Sequence, residues 1–273
     1  MRKGVVVASL ISGSGVFAML LYAESYMMEP SAQIDSVSRD YAVSGFTGVS
    51  TAGPQDIEIV TGDEFSVRAE GIERELDQLE VLVEDGVLVV RARRDSENNW
   101  NWSWDSDTTF YVTAPAISSV ALAGAGNLLL DKAEGERFSA SISGPGDIDI
   151  GSITVDQANI TINGSGDFTA RGTANHSIVS ITGEGDISAN ALTSTTATIT
   201  VVGSGDAEMV VSEDADINLV GSGDVTIAGS ATCRVSRAGS GDVSCGIIAG
   251  TEPPVLAEEE AGVAEEEALE EES

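Results

Sequence analysis

The chain has 273 residues, of which 42% are apolar but only 5% aromatic, and it carries a net charge of −32 with 13 basic residues. This composition provides for a narrow core of small and β-branched side chains and is too poor in aromatic residues for a broad globular core. Because nucleic-acid binding needs clustered Lys and Arg side chains that contact phosphates, the charge argues against nucleic acid as a partner.

Residues 1–23 have the pattern of an export signal. Arg2 and Lys3 precede an uncharged stretch, and small residues stand at Ala18 and Ala23. A cleaved secretory signal peptide has this arrangement. An uncleaved N-terminal anchor is the alternative, since about 20 residues can span a bilayer. Both interpretations predict an exported protein of the periplasm, outer membrane or cell surface, whose only membrane contact is such an anchor.

Residues 24–44 lack clear periodicity and are predicted to be a linker. After them, alternating apolar and polar residues predict short strands separated by turns that contain Gly or Asp. These strands are 46–51, 56–61, 64–70, 79–84, 87–93 and 109–113. Asp85 and Gly86 predict a tight hairpin between two of them, because both central residues of such a turn take positive φ.

Trp100, Trp102 and Trp104 are the concentrated aromatic group of the chain. They alternate with Asn101 and Ser103, so on a strand all three face the same side. Such a strip could stack on sugars, contact a membrane interface or pair with another protein. Alternatively it covers the end or flank of the fold, which a repeat protein needs for solubility. We take the three Trp residues as a candidate ligand-binding site.

The pattern Gly-x-Gly followed by Asp or Asn occurs seven times between residues 124 and 242, at intervals of 18–20 residues. On both sides of each copy apolar residues alternate with Ser, Thr, Asn and Asp, which predicts two short strands with one inward face joined by a sharp turn. A regular period near 20 residues is typical of a solenoid, in which each turn buries its apolar face against the next. The sequence therefore predicts an all-β parallel solenoid with a Gly-x-Gly-Asp corner in each turn.

The residue that ends each motif falls in one column of the predicted stack. Carboxylates stacked ~4.8 Å apart repel one another. We therefore expect that the turns splay them, that backbone N–H groups hold them, or that cations bind them. Calcium binding is the more specific hypothesis, because the repeats-in-toxin solenoids bind calcium in Gly- and Asp-rich turns. Their repeats, however, recur about every nine residues, in contrast to the 18–20 residues of this chain. The candidate metal ligands are Asp147, Asp167, Asp186, Asp206, Asp224 and Asp242.

The sequence offers little for catalysis. His176 is the chain's one imidazole, and it stands in a predicted turn, residues 172–177, without a second His or a nearby Cys for a metal site or a triad. The acids recur in every turn instead of clustering in one, which suits architecture better than a unique active site. We predict no catalytic residue and no cofactor. A carbohydrate-active enzyme that works with carboxylates is the alternative.

Cys233 and Cys245 stand six residues before and six residues after Gly239, in slots that face inward in earlier turns. In an exported protein an even number of Cys residues predicts a disulfide, which here pins the terminal turn. Two buried free thiols are the alternative, since sheets about 10 Å apart are too distant for the bond unless the turn narrows.

Residues 250–273 contain ten Glu and no basic residue, and predict a disordered acidic tail.

Residues 56–71, 79–91 and 111–115, taken with the Gly-Ser-Gly-Asp series, resemble the bacterial head GIN domain family, the putative auto-transporter adhesins. The resemblance covers roughly residues 45–246. It implies a right-handed parallel β-helix related in shape to pectin lyases, exported, without a known catalytic site, and associated with adhesion. We expect residues 45–249 to form such a domain.

The function expected from this resemblance is adhesion or scaffolding at the bacterial cell envelope, with a cell-surface glycan or an envelope protein as partner. Two other classes remain open. One is a carbohydrate-active enzyme on a pectin-lyase-like helix, and the other is a calcium-dependent envelope module.

Overall fold

A computed structural model of the chain describes residues 36–93 and 108–248, and most of these residues lie in β-strands. The strands of this part form one continuous hydrogen-bonded sheet. In chain order they are β1 Ser36–Tyr41, β2 Gly48–Gly53, β3 Asp56–Thr61, β4 Ser66–Ile72, β5 Leu79–Glu84, β6 Val87–Ala92, β7 Thr109–Ala114, β8 Ser119–Gly124, β9 Leu128–Leu130, β10 Ala133–Gly144, β11 Ile148–Gly164, β12 Phe168–Gly183, β13 Ile187–Gly203, β14 Ala207–Gly221, β15 Val225–Gly239 and β16 Val243–Ile248. A short helix, α1 Glu73–Leu76, lies between β4 and β5.

From β10 onward the chain coils, and each strand pairs in parallel with the strand of the next turn. The first glycines of successive motifs are register partners, as Gly183 is of Gly203 and Gly203 of Gly221. Each turn therefore brings the same motif position to the same place in the stack. The predicted parallel β-solenoid is confirmed.

The repeats from β11 to β15 each contain one long strand where the sequence predicts two short ones, whereas the repeat between Gly124 and Gly144 has two, β9 and β10. β12, for example, runs through 16 residues from one corner to the next. It bends within its length, where the pairing with β13 shifts register between Thr169 and Arg171 and where Gly172 has a φ of 120°. An irregularity of this kind interrupts the period-2 pattern without ending the strand, so alternation alone does not show that the two segments are continuous.

One continuous hydrophobic cluster fills the inside of the solenoid. The residues two positions before each corner form a buried column that includes Ile162, Ile181 and Val201. Phe138 and Phe168 are among the largest fully buried side chains. Burying one aliphatic or aromatic side chain of this size contributes ~1.5–3 kcal/mol relative to leaving it exposed. The period-2 apolar columns of the sequence are therefore the core.

The stacking order of the first turns differs from their order in the chain. β6 pairs in parallel with β2, and β7 pairs in parallel with β3. β8 and β9 lie on the opposite edges of β2 and β3. The turn that contains β6 and β7 therefore lies beneath the β2–β3 turn, although it comes later in the sequence.

Antiparallel strands cover the outer edge of this lowest turn. β5 pairs with β6, β4 pairs with β7, and β1 pairs with β4. The β5–β6 hairpin is confirmed, with φ of 49° at Asp85 and 80° at Gly86. β1 lies within the segment 24–44, which was predicted to be a linker. Among its described residues Val37, Tyr41 and Val43 pack against the core, and their spacing leaves little periodic signal.

Candidate functional site

The Gly-x-Gly corners are required by the way the turns stack. Gly203 has a φ of 138°, in the left-handed region that favours Gly. A Cβ atom at Gly203 would overlap with the carbonyl oxygen of Gly183 in the preceding turn, and one at Gly205 would overlap with the carbonyl oxygen of Gly185. The first position therefore requires Gly because of both its backbone angle and the neighbouring turn. The second position requires Gly because of the neighbouring turn alone.

The structure contains a further corner that the Gly-x-Gly-Asp pattern does not reveal. Gly53 has a φ of 144° and is the register partner of Gly124, so residues 53–56 form a corner of the same kind. Asp56 occupies the position of the motif Asp. The pattern was hidden because Gln55 replaces the second Gly. The Gln55 side chain is fully buried, and its amide has no hydrogen-bond partner among the described residues.

The motif Asp residues hold successive turns together. In each case one carboxylate oxygen accepts a hydrogen bond from the backbone N–H of the Asp in the next turn, over 2.7–3.0 Å. At the start of the column, the carboxylate of Asp56 accepts from the backbone N–H of Asn127 at 2.7 Å and from its side-chain amide at 3.2 Å. Of the three arrangements expected for the stacked acids, the structure has the one in which backbone N–H groups hold them.

Arg237 completes this column at its last turn. It stands in the buried aliphatic column, but its guanidinium Nη1 donates to the carboxylate of Asp242 and to the carbonyl of Gly241, each at 2.9 Å. The carboxylate of Asp242 thus accepts a hydrogen bond from Arg237, whereas the carboxylate of Asp224 accepts one from the backbone N–H of Asp242 in the following turn. The sequence signal was the replacement of an apolar residue by Arg, which indicated the end of the core but not the hydrogen bonds.

The structure shows no metal cluster in its described part. In residues 36–93 and 108–248, no three His, Cys, Asp or Glu side chains come close enough together to hold a metal ion. One oxygen of each of Asp147, Asp167, Asp186, Asp206 and Asp224 is already engaged with a neighbouring turn. Cation binding by the Asp column stays a prediction.

His176 lies within β12 and not in the turn predicted for it, because β12 continues through the bend at Gly172. The ring is half-buried, and its Nδ1 forms a 2.7 Å hydrogen bond with the hydroxyl of Thr196 in the next turn. The residue thus takes part in the contact between turns.

Cys233 and Cys245 form the predicted disulfide. Their Cα atoms are 6.5 Å apart, so the last turn is narrow enough there for the bond. The alternative of two free thiols is wrong. The bond joins β15 to β16, the last strand of the described part of the chain.

Several predicted features lie outside the described residues. Trp100, Trp102 and Trp104 fall between β6 and β7, where the structure describes nothing from residue 94 to residue 107. The export signal and the acidic tail also fall outside it. In the part that is described, no helix has the length and hydropathy needed to cross a bilayer.

One outer face of the solenoid, formed by the strand segments that lead into each corner, carries almost no charge. It consists of the outward residues one, three and five positions before each first Gly, which register pairing places side by side in three columns. We call it the neutral face, and its residues are Ser50, Ala52, Ser119, Ala121, Ala123, Ser139, Ser141, Ser143, Asn159, Thr161, Asn163, Ile178, Ser180, Thr182, Thr198, Thr200, Val202, Asp216, Asn218, Val220, Arg234, Ser236 and Ala238.

The charges of the neutral face cancel. Asp216 and Arg234 are its two charged residues, and they form an ion pair with a 2.9 Å contact. The hydrogen bond to Asp216 raises the pKa of Arg234. In β6, the register partner of Ala52 is Arg91, which forms ion pairs with Glu80 and Glu84 of β5.

The face on the other side of the corners is acidic. Its outward columns, three and five residues after each first Gly, are called here the acidic side. Their charged members are Asp56, Glu58, Asp147, Asp149, Asp167, Asp186, Asp206, Glu208, Asp224 and Asp242. Charge is therefore segregated between two neighbouring faces. The sequence shows the Ser, Thr and Asn residues, but not that they share one face.

The neutral face also carries part of the exposed apolar surface. Ile178, Val202 and Val220 are 37%, 42% and 41% exposed, and they are among the large apolar side chains that reach solvent in the described part. Val202 and Val220 are register partners in adjacent turns. The face thus combines hydroxyl and amide groups with a small apolar area.

Comparison with solved structures supports the fold. An adhesin-like protein from Bacteroides fragilis, named a putative adhesin, is 23% identical with a TM-score of 0.70, over 79% of this chain and 98% of its own. A putative lipid binding protein from Parabacteroides distasonis is 20% identical with a TM-score of 0.64, over 77% of this chain and 96% of its own. A putative adhesin from Parabacteroides merdae is 16% identical with a TM-score of 0.61, over 77% of this chain and 95% of its own.

No functionally curated protein matches the chain. A family model does match it: the family described as "Putative auto-transporter adhesin, head GIN domain" covers residues 45–231, more than half of the chain. The match includes the corner motifs from Gly53 to Gly223 and the strands on either side of them. The chain belongs to the head GIN domain family of putative auto-transporter adhesins.

Proposed function

We propose that this protein is an exported, non-enzymatic binding module that serves adhesion or scaffolding at the bacterial cell envelope. The observation that carries the proposal is the neutral face, a regular outer surface with paired charges on a chain whose net charge is −32. A partner can cover such a face without desolvating unpaired charges, which is the main cost of covering polar protein surface. The names of the adhesin relatives agree with a binding role.

The structural use of the acids supports the non-enzymatic part of the proposal. The Asp column, the most regular set of carboxylates, is engaged in hydrogen bonds between turns. A general acid or base needs a carboxylate that is free to exchange a proton with substrate. Turnover of a polysaccharide that one carboxylate substitution abolishes would favour the carbohydrate-active enzyme instead.

Location is the property to test first. The predicted export signal supports a place outside the cytoplasm, and adhesion to other cells further requires exposure at the cell surface. We expect protease added to intact cells to cleave the protein, while a periplasmic marker in the same cells stays intact. Cleavage only after the outer membrane is permeabilised would contradict adhesion and leave scaffolding inside the envelope.

A lipid-binding role is the second candidate, because one relative of similar fold is named a putative lipid binding protein. Ile178, Val202 and Val220 supply exposed apolar surface for it. However, the net charge of −32 opposes approach to anionic membranes. Flotation with vesicles of zwitterionic and of anionic lipid distinguishes the two roles: an adhesion module floats with neither.

A further inference from the structure

We propose that the neutral face binds a neutral polysaccharide, an extended polymer of uncharged, hydroxyl-bearing sugar units that lies across successive turns of the solenoid. This inference rests on the proposed binding function and adds the chemical class of the partner. It follows from the charge, the hydrogen-bonding groups and the repetition of the face.

Charge excludes most other partners. The chain has 45 acidic and 13 basic residues, yet the neutral face carries one of each, and these two are paired. An anionic polymer would be repelled by the remaining charge of the molecule, and a cationic one would bind the acidic side more strongly. A neutral partner is the one for which the neutral face is the favourable surface.

The side chains of the face match a hydroxyl-rich partner. Ser and Thr hydroxyls and Asn amides each donate and accept hydrogen bonds. Ser141, Thr161, Ser180 and Thr200 form one unbroken column of such groups. Sugar hydroxyls also donate and accept, so each can pair with this column in either direction. Neighbouring apolar residues, such as Val202, can contact the carbon-bound face of a sugar ring.

Charge argues against a second copy of the chain. Two chains of charge −32 repel each other, whereas an uncharged polymer meets no such repulsion at the neutral face.

Repetition compensates for the weakness of each contact. Every turn presents the same three outward positions ~4.8 Å from those of the turn before. A polymer therefore meets a row of similar sites, and each contact after the first forms at high effective concentration. A long polysaccharide gains from this arrangement, whereas a single sugar does not.

The experiment measures binding of the full chain to four neutral polysaccharides, namely dextran, laminarin, mannan and xylan, with polygalacturonate as the anionic comparison. Affinity electrophoresis or calorimetry gives the Kd. We expect at least one neutral polymer to bind with a Kd below ~1 mM, with little change between low and high salt because the charges on the face are paired. Polygalacturonate is expected not to bind.

Thr161→Glu places an unpaired charge at the centre of the neutral face and is expected to weaken binding by about tenfold or more. Thr169→Glu is the matched control, because Thr169 is also a half-buried outward Thr but lies on the acidic side. The control should bind as the unchanged protein does. Equal melting temperatures of the two variants show that the face, and not the fold, is altered.

Three results would overturn the inference. The first is that none of the four neutral polymers binds, and the second is that the two substitutions weaken binding equally. The third is that light scattering shows dimers that Thr161→Glu dissociates, which would make a second copy of the chain the occupant of the face. Adhesion of intact cells separates this inference from the proposed function. If Thr161→Glu abolishes adhesion while no neutral polymer binds, the binding function stands and the partner class is wrong.

Discussion

The carboxylate of Asp186 accepts a hydrogen bond from the backbone N–H of Asp206, 2.8 Å away in the next turn of the solenoid. Asp206 accepts in the same way from the N–H of Asp224, at 2.7 Å. Each Asp in the middle of the column therefore accepts a bond from the turn after it and donates one to the turn before it, as is the case for Asp167, Asp186, Asp206 and Asp224. A residue type that would be expected to repel its copies instead fixes the spacing of the corners.

Replacement of Asp206 should separate the acceptor role of the side chain from its charge. Asp206→Ala leaves the N–H of Asp224 without this acceptor, and we expect the free energy of unfolding to fall by about 1 kcal/mol, the usual net value of an exposed hydrogen bond. Asp206→Asn keeps an acceptor oxygen at the same position and should change stability by less than ~0.5 kcal/mol. Urea denaturation measures both, and equal losses would contradict the acceptor role.

Calcium should have little effect if the Asp column is purely structural. We expect millimolar calcium to raise the melting temperature no more than the same concentration of magnesium does, because screening by either divalent ion is similar. Differential scanning calorimetry after treatment with a chelator makes the comparison. A rise specific to calcium that is lost in Asp167→Asn or Asp206→Asn would favour the calcium-dependent envelope module.

Three Gly→Ala substitutions should separate backbone strain from overlap between turns. Gly135 has a φ of 140° but open space around it, so Gly135→Ala should cost about 1–2 kcal/mol from strain. Gly205→Ala meets the carbonyl of Gly185, and Gly203→Ala combines overlap with a φ of 138°. We expect Gly203→Ala to be the most destabilising of the three in urea denaturation. A ranking with Gly135→Ala first would contradict the stacking explanation.

Reduction of the disulfide should loosen the last turn. Cys233 and Cys245 are 12 residues apart, and closure of a loop of this length contributes roughly 3 kcal/mol in the chain-entropy model. We expect a reductant to lower the melting temperature and to speed amide exchange mainly in β15 and β16. The double variant Cys233→Ser/Cys245→Ser is the control, since a reductant should not change it further. Uniform acceleration throughout the solenoid would contradict a local role.

Two buried polar side chains near the first corner should tolerate apolar replacement. The Gln55 amide and the Thr51 hydroxyl are buried, and neither has a hydrogen-bond partner in the described part of the chain. Because an unpaired buried polar group costs ~1–3 kcal/mol, we expect Gln55→Met and Thr51→Val each to raise the melting temperature. Gly53→Ala, which would contact the Gln55 side chain, should lower it. A loss of stability in Gln55→Met would show that the amide is bonded.

The repeating part of the fold could be predicted from the sequence for a physical reason. Each turn stacks on a nearly identical turn, so the same side-chain class is needed at the same position every 18–20 residues. The hairpin at Asp85 and Gly86 was also predictable, because its backbone angles restrict the residue types.

The position of β6 and β7 beneath β2 and β3 could not be predicted in this way. The strands themselves were predicted, but residues 93–108 contain no Gly-x-Gly motif, so the sequence does not indicate where that turn lies in the stack. Likewise, the neutral face depends on which residues register places side by side. Thr161 and Thr169 look equivalent along the chain, and only the pairing of strands puts them on different faces.

The placement of β6 and β7 also determines the order in which the solenoid can assemble. One edge of β2 and β3 is paired only by β6 and β7, so it stays open until residues up to 114 are in place. From β8 onward each new turn finds a finished template below it and needs no residue that is still to come. Residues 36–93 and 108–114 therefore form the base of the stack, and the rest of the domain can add to it in one direction, turn by turn.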